Sequence, residues 1–172
     1  FSTSNGSNSN GSLIQAANGK LYGMTTSGGA NGRGVLFEYD AASNVYTKKI
    51  DFSSSNGSNP NGSLIQAANG KLYGMTRSGG VNDRGVLFEY DAAINVYTKK
   101  IDFSTANGTT PNGSLMQAVN GKLYGMTGSG GANGAGVLFE YDAASNVYTK
   151  KLDFSFANGS DPSGSLMQAE NG

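Results

Sequence analysis

The sequence predicts an all-β fold built from tandem four-stranded antiparallel meanders, and three observations predict it. The first is a repeat: Phe1, Phe52, Phe103 and Phe154 each open the same run, giving complete units at residues 1–51, 52–102 and 103–153 and a partial unit at 154–172. A fixed period of this size marks a stacked or radial array of small supersecondary units rather than one continuous globule. The second is an Asn-Gly pair between two β-prone runs in every unit, a strong hairpin signal. The third is composition. Gly makes up 27 of 172 residues, about twice the usual share of roughly 7%, and each complete unit keeps five aromatic residues that a flexible linker would lack.

The elements of the first unit follow in order. Residues 12–16 form a short apolar strand. Asn18-Gly19 then makes a type I′ turn, in which both central residues need positive φ. Residues 20–25 are the second strand, and the glycine-rich stretch 27–34 is a connector. Residues 35–40 are the third strand, with Val35, Phe37 and Tyr39 on one face and Leu36, Glu38 and Asp40 on the other. After a short loop at 41–44, residues 45–52 form the fourth strand. Its paired lysines suit a sheet edge, where charge discourages pairing with other sheets. Sensible cross-strand partners result if Tyr39 faces Tyr46, Phe37 faces Lys48 and Val35 faces Ile50. Residues 53–62 are a polar loop to the next unit, and residues 165–169 repeat the first strand once more. The first two units differ at six of 51 positions and the first and third at nine, mostly in connectors. Near-identical units imply near-identical jobs, so one active site built from one special unit is not expected.

Composition removes several function classes. The chain has no His, Cys or Trp, which excludes Ser-His-Asp and Cys-His catalysis, Cys/His zinc sites and disulfides. Twelve basic and twelve acidic residues cancel, against a nucleic-acid footprint. No apolar run is long enough for a membrane span. The chain begins without Met and inside a repeat, as a mature product or a window of a longer protein would.

The run Gly-Ser-Leu-Ile-Gln-Ala at 11–16, Asn-Gly-Lys-Leu-Tyr-Gly-Met-Thr at 18–25, Ser-Gly-Gly at 27–29, Gly-Val-Leu-Phe-Glu-Tyr-Asp at 34–40 and Lys-Ile-Asp-Phe at 49–52 resembles the gloeo-verruco (GloVer) tandem repeat of secreted bacterial proteins. The resemblance covers essentially the whole chain. It implies blades of β-propeller type, an extracellular or cell-surface bacterial location, and no established enzymatic role. Propellers close with about 4–8 blades, so three units and a first strand are expected to form an open array or part of a larger ring, not a self-closed propeller.

Each candidate site in the sequence competes with a plainer explanation. Glu38, Asp40 and Asp51, repeated at Glu89, Asp91, Asp102 and Glu140, Asp142, Asp153, could pair for glycosidase chemistry, which needs carboxyls about 5–9.5 Å apart; a solvated strand face with lysine partners explains them better. Residues 51–62 offer oxygen ligands for calcium but lack an EF-hand pattern, so no cofactor is expected, with calcium as the alternative. The connector 27–34 lacks the Lys-Ser/Thr and helix of a nucleotide loop. Asn-x-Ser/Thr sequons at Asn5, Asn10, Asn56, Asn61, Asn107, Asn112 and Asn158 make covalent glycans a candidate along one rim. Tyr22 and Tyr46 could stack sugars, but read better as core between sheets. The expected function is an extracellular structural or adhesive repeat protein, self-associating into a larger surface assembly or fibril. A propeller-like binding module for a glycan or protein is the alternative, and an enzyme is not expected.

Overall fold

A computed structural model describes residues 3–170; Phe1, on which the first unit opens, lies outside them. Among the described residues every regular element is a strand. The first unit contributes β1 (Ser7–Ser9), β2 (Ile14–Gln15), β3 (Leu21–Ser27), β4 (Val35–Asp40) and β5 (Val45–Asp51). The second contributes β6 (Ser58–Pro60), β7 (Ile65–Gln66), β8 (Leu72–Ser78), β9 (Val86–Asp91) and β10 (Val96–Asp102). The third contributes β11 (Thr109–Pro111), β12 (Met116–Gln117), β13 (Leu123–Ser129), β14 (Val137–Asp142) and β15 (Val147–Asp153). Each unit's strands make one antiparallel sheet, ordered β1-β3-β4-β5 in the first, with β2 also on β3. The three sheets are propeller-like blades, and none closes into a barrel. The lysine-rich β5, β10 and β15 lie at sheet edges.

The meander is as expected, and its details differ in four places. The inner edge of each blade is two short strands, β1 and β2, both paired with β3. The stretch 53–62 is therefore not simply a loop, since it holds β6. Nothing in Ser-Asn-Pro favours a strand. The pairing exists because the far half of β8 exposes backbone groups that need partners, and Gly57, at φ 110°, brings the chain against Thr76 and Val86 where a Cβ would collide. The hairpin is not type I′ either: Asn18 keeps a negative φ and only Gly19 is left-handed, at φ 80°. With Gly19 N–H donating to Ala16 O and Ala16 N–H to Lys20 O, this is a type I turn closed by a glycine bulge. The pairing of β4 with β5 keeps Tyr39–Tyr46 and Phe37–Lys48, then shifts at Lys49, so that Ile50 faces Leu36 and Asp51 faces Val35. The bulge puts Ile50 on the apolar face and frees Lys49 to reach Glu38. Finally, residues 165–169 form no strand, because a strand needs a hydrogen-bonded neighbour and no β3 equivalent lies beside them.

The core lies between blades rather than within one. Tyr22, Met24 and Leu36 on one face of the first blade pack against Leu64, Leu72, Phe88 and Tyr90 of the second, with Phe52 entering from the crossover. The same positions, one unit on, build the second cluster between blades two and three. Alternation along β4 explains both: one set of side chains faces the next blade and the other faces the preceding blade. Aromatic rings repeat their contacts too. Phe52 lies 5.5 Å from Phe88 and Phe103 5.6 Å from Phe139, both tilted.

Candidate functional site

Every blade carries one polar cluster, which in the first two blades faces the next one. β3 and β4 pair Tyr22 with Glu38. The Tyr22 hydroxyl donates to Glu38 Oε2 at 2.5 Å and accepts from Asn18 Nδ2 at 2.9 Å. Lys20 Nζ lies 3.0 Å from Glu38 Oε1 and Lys49 Nζ 3.4 Å from Oε2. Glu38 is buried, and burial pushes its carboxyl up; the Tyr22 hydroxyl and the two ammoniums outweigh that and hold it below the ordinary value. Burial and the Glu38 carboxylate raise the Tyr22 hydroxyl to about 12. Neither group is tuned to exchange protons near neutral pH. The cluster recurs as Tyr73–Glu89–Lys71 and Tyr124–Glu140–Lys122. Tyr22 and Tyr73 also meet Tyr90 and Tyr141 of the following blade at 6.4 Å between ring centroids. The expected strand face with lysine partners is present, but its glutamates are buried instead of solvated. In the second unit Lys71 also reaches Asp91, at 3.7 Å, so a cation holds both members of the candidate carboxylate pair.

Six of the seven sequon asparagines divide into two structural roles. Asn10 Nδ2 donates to Asn61 Oδ1, and Asn61 Nδ2 to Asn112 Oδ1, an amide ladder across three blades along their inner edges. Beside it, Ser12 N–H donates to Ser63 Oγ and Ser63 N–H to Ser114 Oγ, both at 2.8 Å. Ala17 and Ala68 N–H donate to Gln66 and Gln117 Oε1. Asn56, Asn107 and Asn158 instead cap the crossover: each Oδ1 accepts from Ser53, Ser104 or Ser155 N–H. Asn56 and Asn107 Nδ2 also bond the Asp51 and Asp102 carbonyls. Asn5 is exposed, and its carbonyl accepts from Tyr46 at 2.5 Å. The ladder is invisible to a reading within one unit, since each bond joins residues a full period apart; the strict recurrence of Asn-Gly-Ser is the signal that could have pointed to it.

Other candidates fall into place. Asp51, from which the calcium reading starts, is engaged by Lys48 at 2.9 Å and by Ala30 N–H at 2.7 Å. Among the described residues no group of three or more acidic side chains gathers as a metal site would. The connector 27–34 is a set of tight turns: at Gly34, φ 97°, a Cβ would stand 2.1 Å from Thr25 O. Tyr22 is fully buried and belongs to the inter-blade core, as expected. Tyr46 stacks on Phe37 at 5.3 Å. No described helix is long and apolar enough to cross a membrane.

The two end faces differ from the inner ones. On the first blade, Leu13, Gly23, Phe37, Tyr39 and Tyr46 line an open apolar cleft of about 470 Å³. On the third, Met116, Tyr124 and Leu138 line another, partly roofed by residues 166–169. That last segment continues the inter-blade bonds, with Ser114 N–H donating to Ser165 Oγ and Val119 N–H to Gln168 Oε1.

Comparisons with known proteins agree with this architecture. The extracellular domain of a hybrid two component system from B. thetaiotaomicron has a similar structure (TM-score 0.59, 13% identity), matching 87% of this chain and 17% of its own. TolB from Acinetobacter baumannii is similar over 83% of this chain and 32% of its own (TM-score 0.55, 14% identity). The chain thus spans less than a third of either, and at such identity the likeness shows the fold alone. No curated protein matches it. The repeat itself matches a described family over its whole length, residues 1–172, and the chain belongs to the Gloeobacter/Verrucomicrobia repeat family.

Proposed function

We propose that the chain is a structural element of a secreted bacterial repeat protein, and that like repeats continue the blade stack at both open faces. One observation carries this reading: the open face of the first blade and the open face of the third are the two halves of an interface the molecule makes twice internally. Leu13, Phe37 and Tyr39 occupy the places of Leu64, Phe88 and Tyr90. Tyr124, Met126 and Leu138 occupy those of Tyr22, Met24 and Leu36. The segment 165–168 already lies where a next inner strand belongs, and the strand to pair with it is the β3 of a like repeat. Such a head-to-tail contact is heterologous and extends into a filament or closes into a ring. In the same reading the protein works through packing and display rather than catalysis. N-linked sugar, where attached, sits on Asn158, which is exposed and bonded through Oδ1 and the backbone N–H, and not on the ladder amides.

The test is self-association. Sedimentation velocity of the intact chain should show species that grow with concentration. Leu13→Glu places a charge on the open face while leaving the internal interfaces untouched, and should return a monomer with an unchanged circular dichroism spectrum. A wild-type chain that stays monomeric at high concentration sinks the proposal. Sugar is tested separately by intact mass, which should exceed the bare 17.6 kDa in native-source material.

A further inference from the structure

The repeats differ most where they meet at one end of the blade stack. Among the three complete units, one position carries three different residues: Thr26, Arg77 and Gly128. It lies at the end of β3, β8 and β13, beside the short strands β1, β6 and β11, whose middle residues Asn8, Asn59 and Thr110 also vary. Thr26 and Asn59 knit the first two blades, with Thr26 Oγ1 donating to Pro60 O and Asn59 Nδ2 to Thr26 O, each at 3.1 Å. Gly128 leaves room for Asp161, whose Oδ1 would stand 2.7 Å from a Cβ there. Arg77 is different. Its side chain is exposed, and among the described residues it takes part in no hydrogen bond or ion pair.

Arg77 projects into a polar cleft of about 380 Å³ that spans all three blades, lined also by Asn10, Thr26, Asn59, Asn61 and Thr110. The volume falls in the range of ligand clefts, about 300–1,000 Å³. Two further features bear on the place. Thr110 holds φ 51°, a left-handed conformation that β-branched residues avoid and that the repeat imposes at this position, since Asn8, Asn59 and Asp161 hold it too. The ladder amides of Asn10 and Asn61 each use one N–H in the ladder, which leaves a second N–H per amide for a guest. The cleft therefore offers a free guanidinium, several amide donors and hydroxyls, and no aromatic or apolar platform.

We infer that this cleft binds an anionic saccharide, its carboxylate or sulfate ester paired with the Arg77 guanidinium and its hydroxyls bonded to the asparagine amides. A guanidinium fork matches either anion in two parallel bonds, and flat amides with hydroxyls match the vicinal hydroxyls of a sugar. None of its residues lines the open apolar cleft of the first or the third blade, so it can be tested apart from self-association.

Isothermal titration of the intact chain tests it with an oligogalacturonate, a heparin-derived oligosaccharide, a neutral cello-oligosaccharide and an oligoglutamate. Binding of the first, the second or both, with affinity falling as salt rises, supports the inference and identifies which anion is read. Arg77→Thr installs the residue the first unit carries, so the fold is retained; it should weaken binding by about tenfold or more, the loss expected for a charged hydrogen-bonded pair. Arg84→Ala copies the third unit's Ala135 outside the cleft and should leave affinity unchanged. Absence of binding to either acidic saccharide, equal binding of the neutral sugar, tighter binding of oligoglutamate, or equal losses in the two arginine variants would each overturn it.

Discussion

The first and second blades differ at six of 51 positions and are built from the same strands, yet their shared residues live in different surroundings. Leu13 is 52% exposed and Leu64, one period on, is 3% exposed. Tyr39 is half-buried, and Tyr90 is fully buried. The difference teaches that no blade owns its core: burial belongs to the contact between neighbours, as in other quasi-one-dimensional proteins. The strongest way to break this comparison is to truncate the same leucine in both places. Leu64→Ala should cost about 2–5 kcal/mol, the range for a buried leucine. Leu13→Ala, with half its surface already in water, should cost about 1 kcal/mol or less. Chemical denaturation of the two variants decides it, and equal losses would mean that each blade is stabilised internally.

A second pair sharpens the comparison at the inner edge. Gly62 has φ 113°, and a Cβ there would stand 2.3 Å from Gly113 O in the next blade. Gly164 occupies the same place in the partial unit, where a Cβ would meet open space. Gly62→Ala should lose about 1–3 kcal/mol, the usual cost of a strained backbone position. Gly164→Ala should be neutral or slightly stabilising, because it reduces only the freedom of the unfolded chain. Thermal melts that shift equally for both would show that close approach between blades is not what these glycines serve.

The repeat, the strand order and the two-faced pattern of β4 were legible in the sequence because period and alternation are local signals. Val35, Phe37 and Tyr39 announce one face and Leu36 and Glu38 the other without any neighbour in view. What could not be read locally were features made by an adjoining strand or blade. β6 runs through Ser58–Pro60, residues with little strand preference, and owes its pairing to β8. The bulge at Lys49, which lets a second ammonium reach Glu38, arises in the pairing of β4 with β5 and not in the pattern of either strand. The amide ladder joins Asn10 to Asn61, so a glycosylation motif and an inter-blade clasp are written with the same Asn-Gly-Ser. Arg77 differs from its counterparts Thr26 and Gly128 in the sequence alone, but only its place in a cleft shared by three blades gives it a candidate role.

The smallest expected effect concerns the buried carboxylates, and it compares the second blade with the third. Glu89 and Glu140 hold matching partners: Lys71 at 3.0 Å and Tyr73 at 2.5 Å for the one, Lys122 at 2.8 Å and Tyr124 at 2.6 Å for the other. At Glu89 burial between blades is the largest single influence and opposes ionisation, though the bonds to Tyr73 and Lys71 and the nearby lysine charges still bring its carboxyl below the ordinary value. At Glu140 the Lys122 and Tyr124 bonds dominate, and the carboxyl is held at about 2 against an ordinary 4.5. A folded-state value below the unfolded one means that ionisation stabilises the fold above the ordinary value and that the contribution fades as pH falls through the folded value. Glu140 should therefore contribute fully above about pH 4.5 and lose its contribution towards pH 2. A carbon-detected NMR titration of the glutamate carboxyls should place Glu140 below Glu89. The reverse order would show that a covering blade strengthens the Tyr–Glu–Lys cluster more than the lost hydration weakens it, and that the clusters help to hold the stack together instead of merely being tolerated within it.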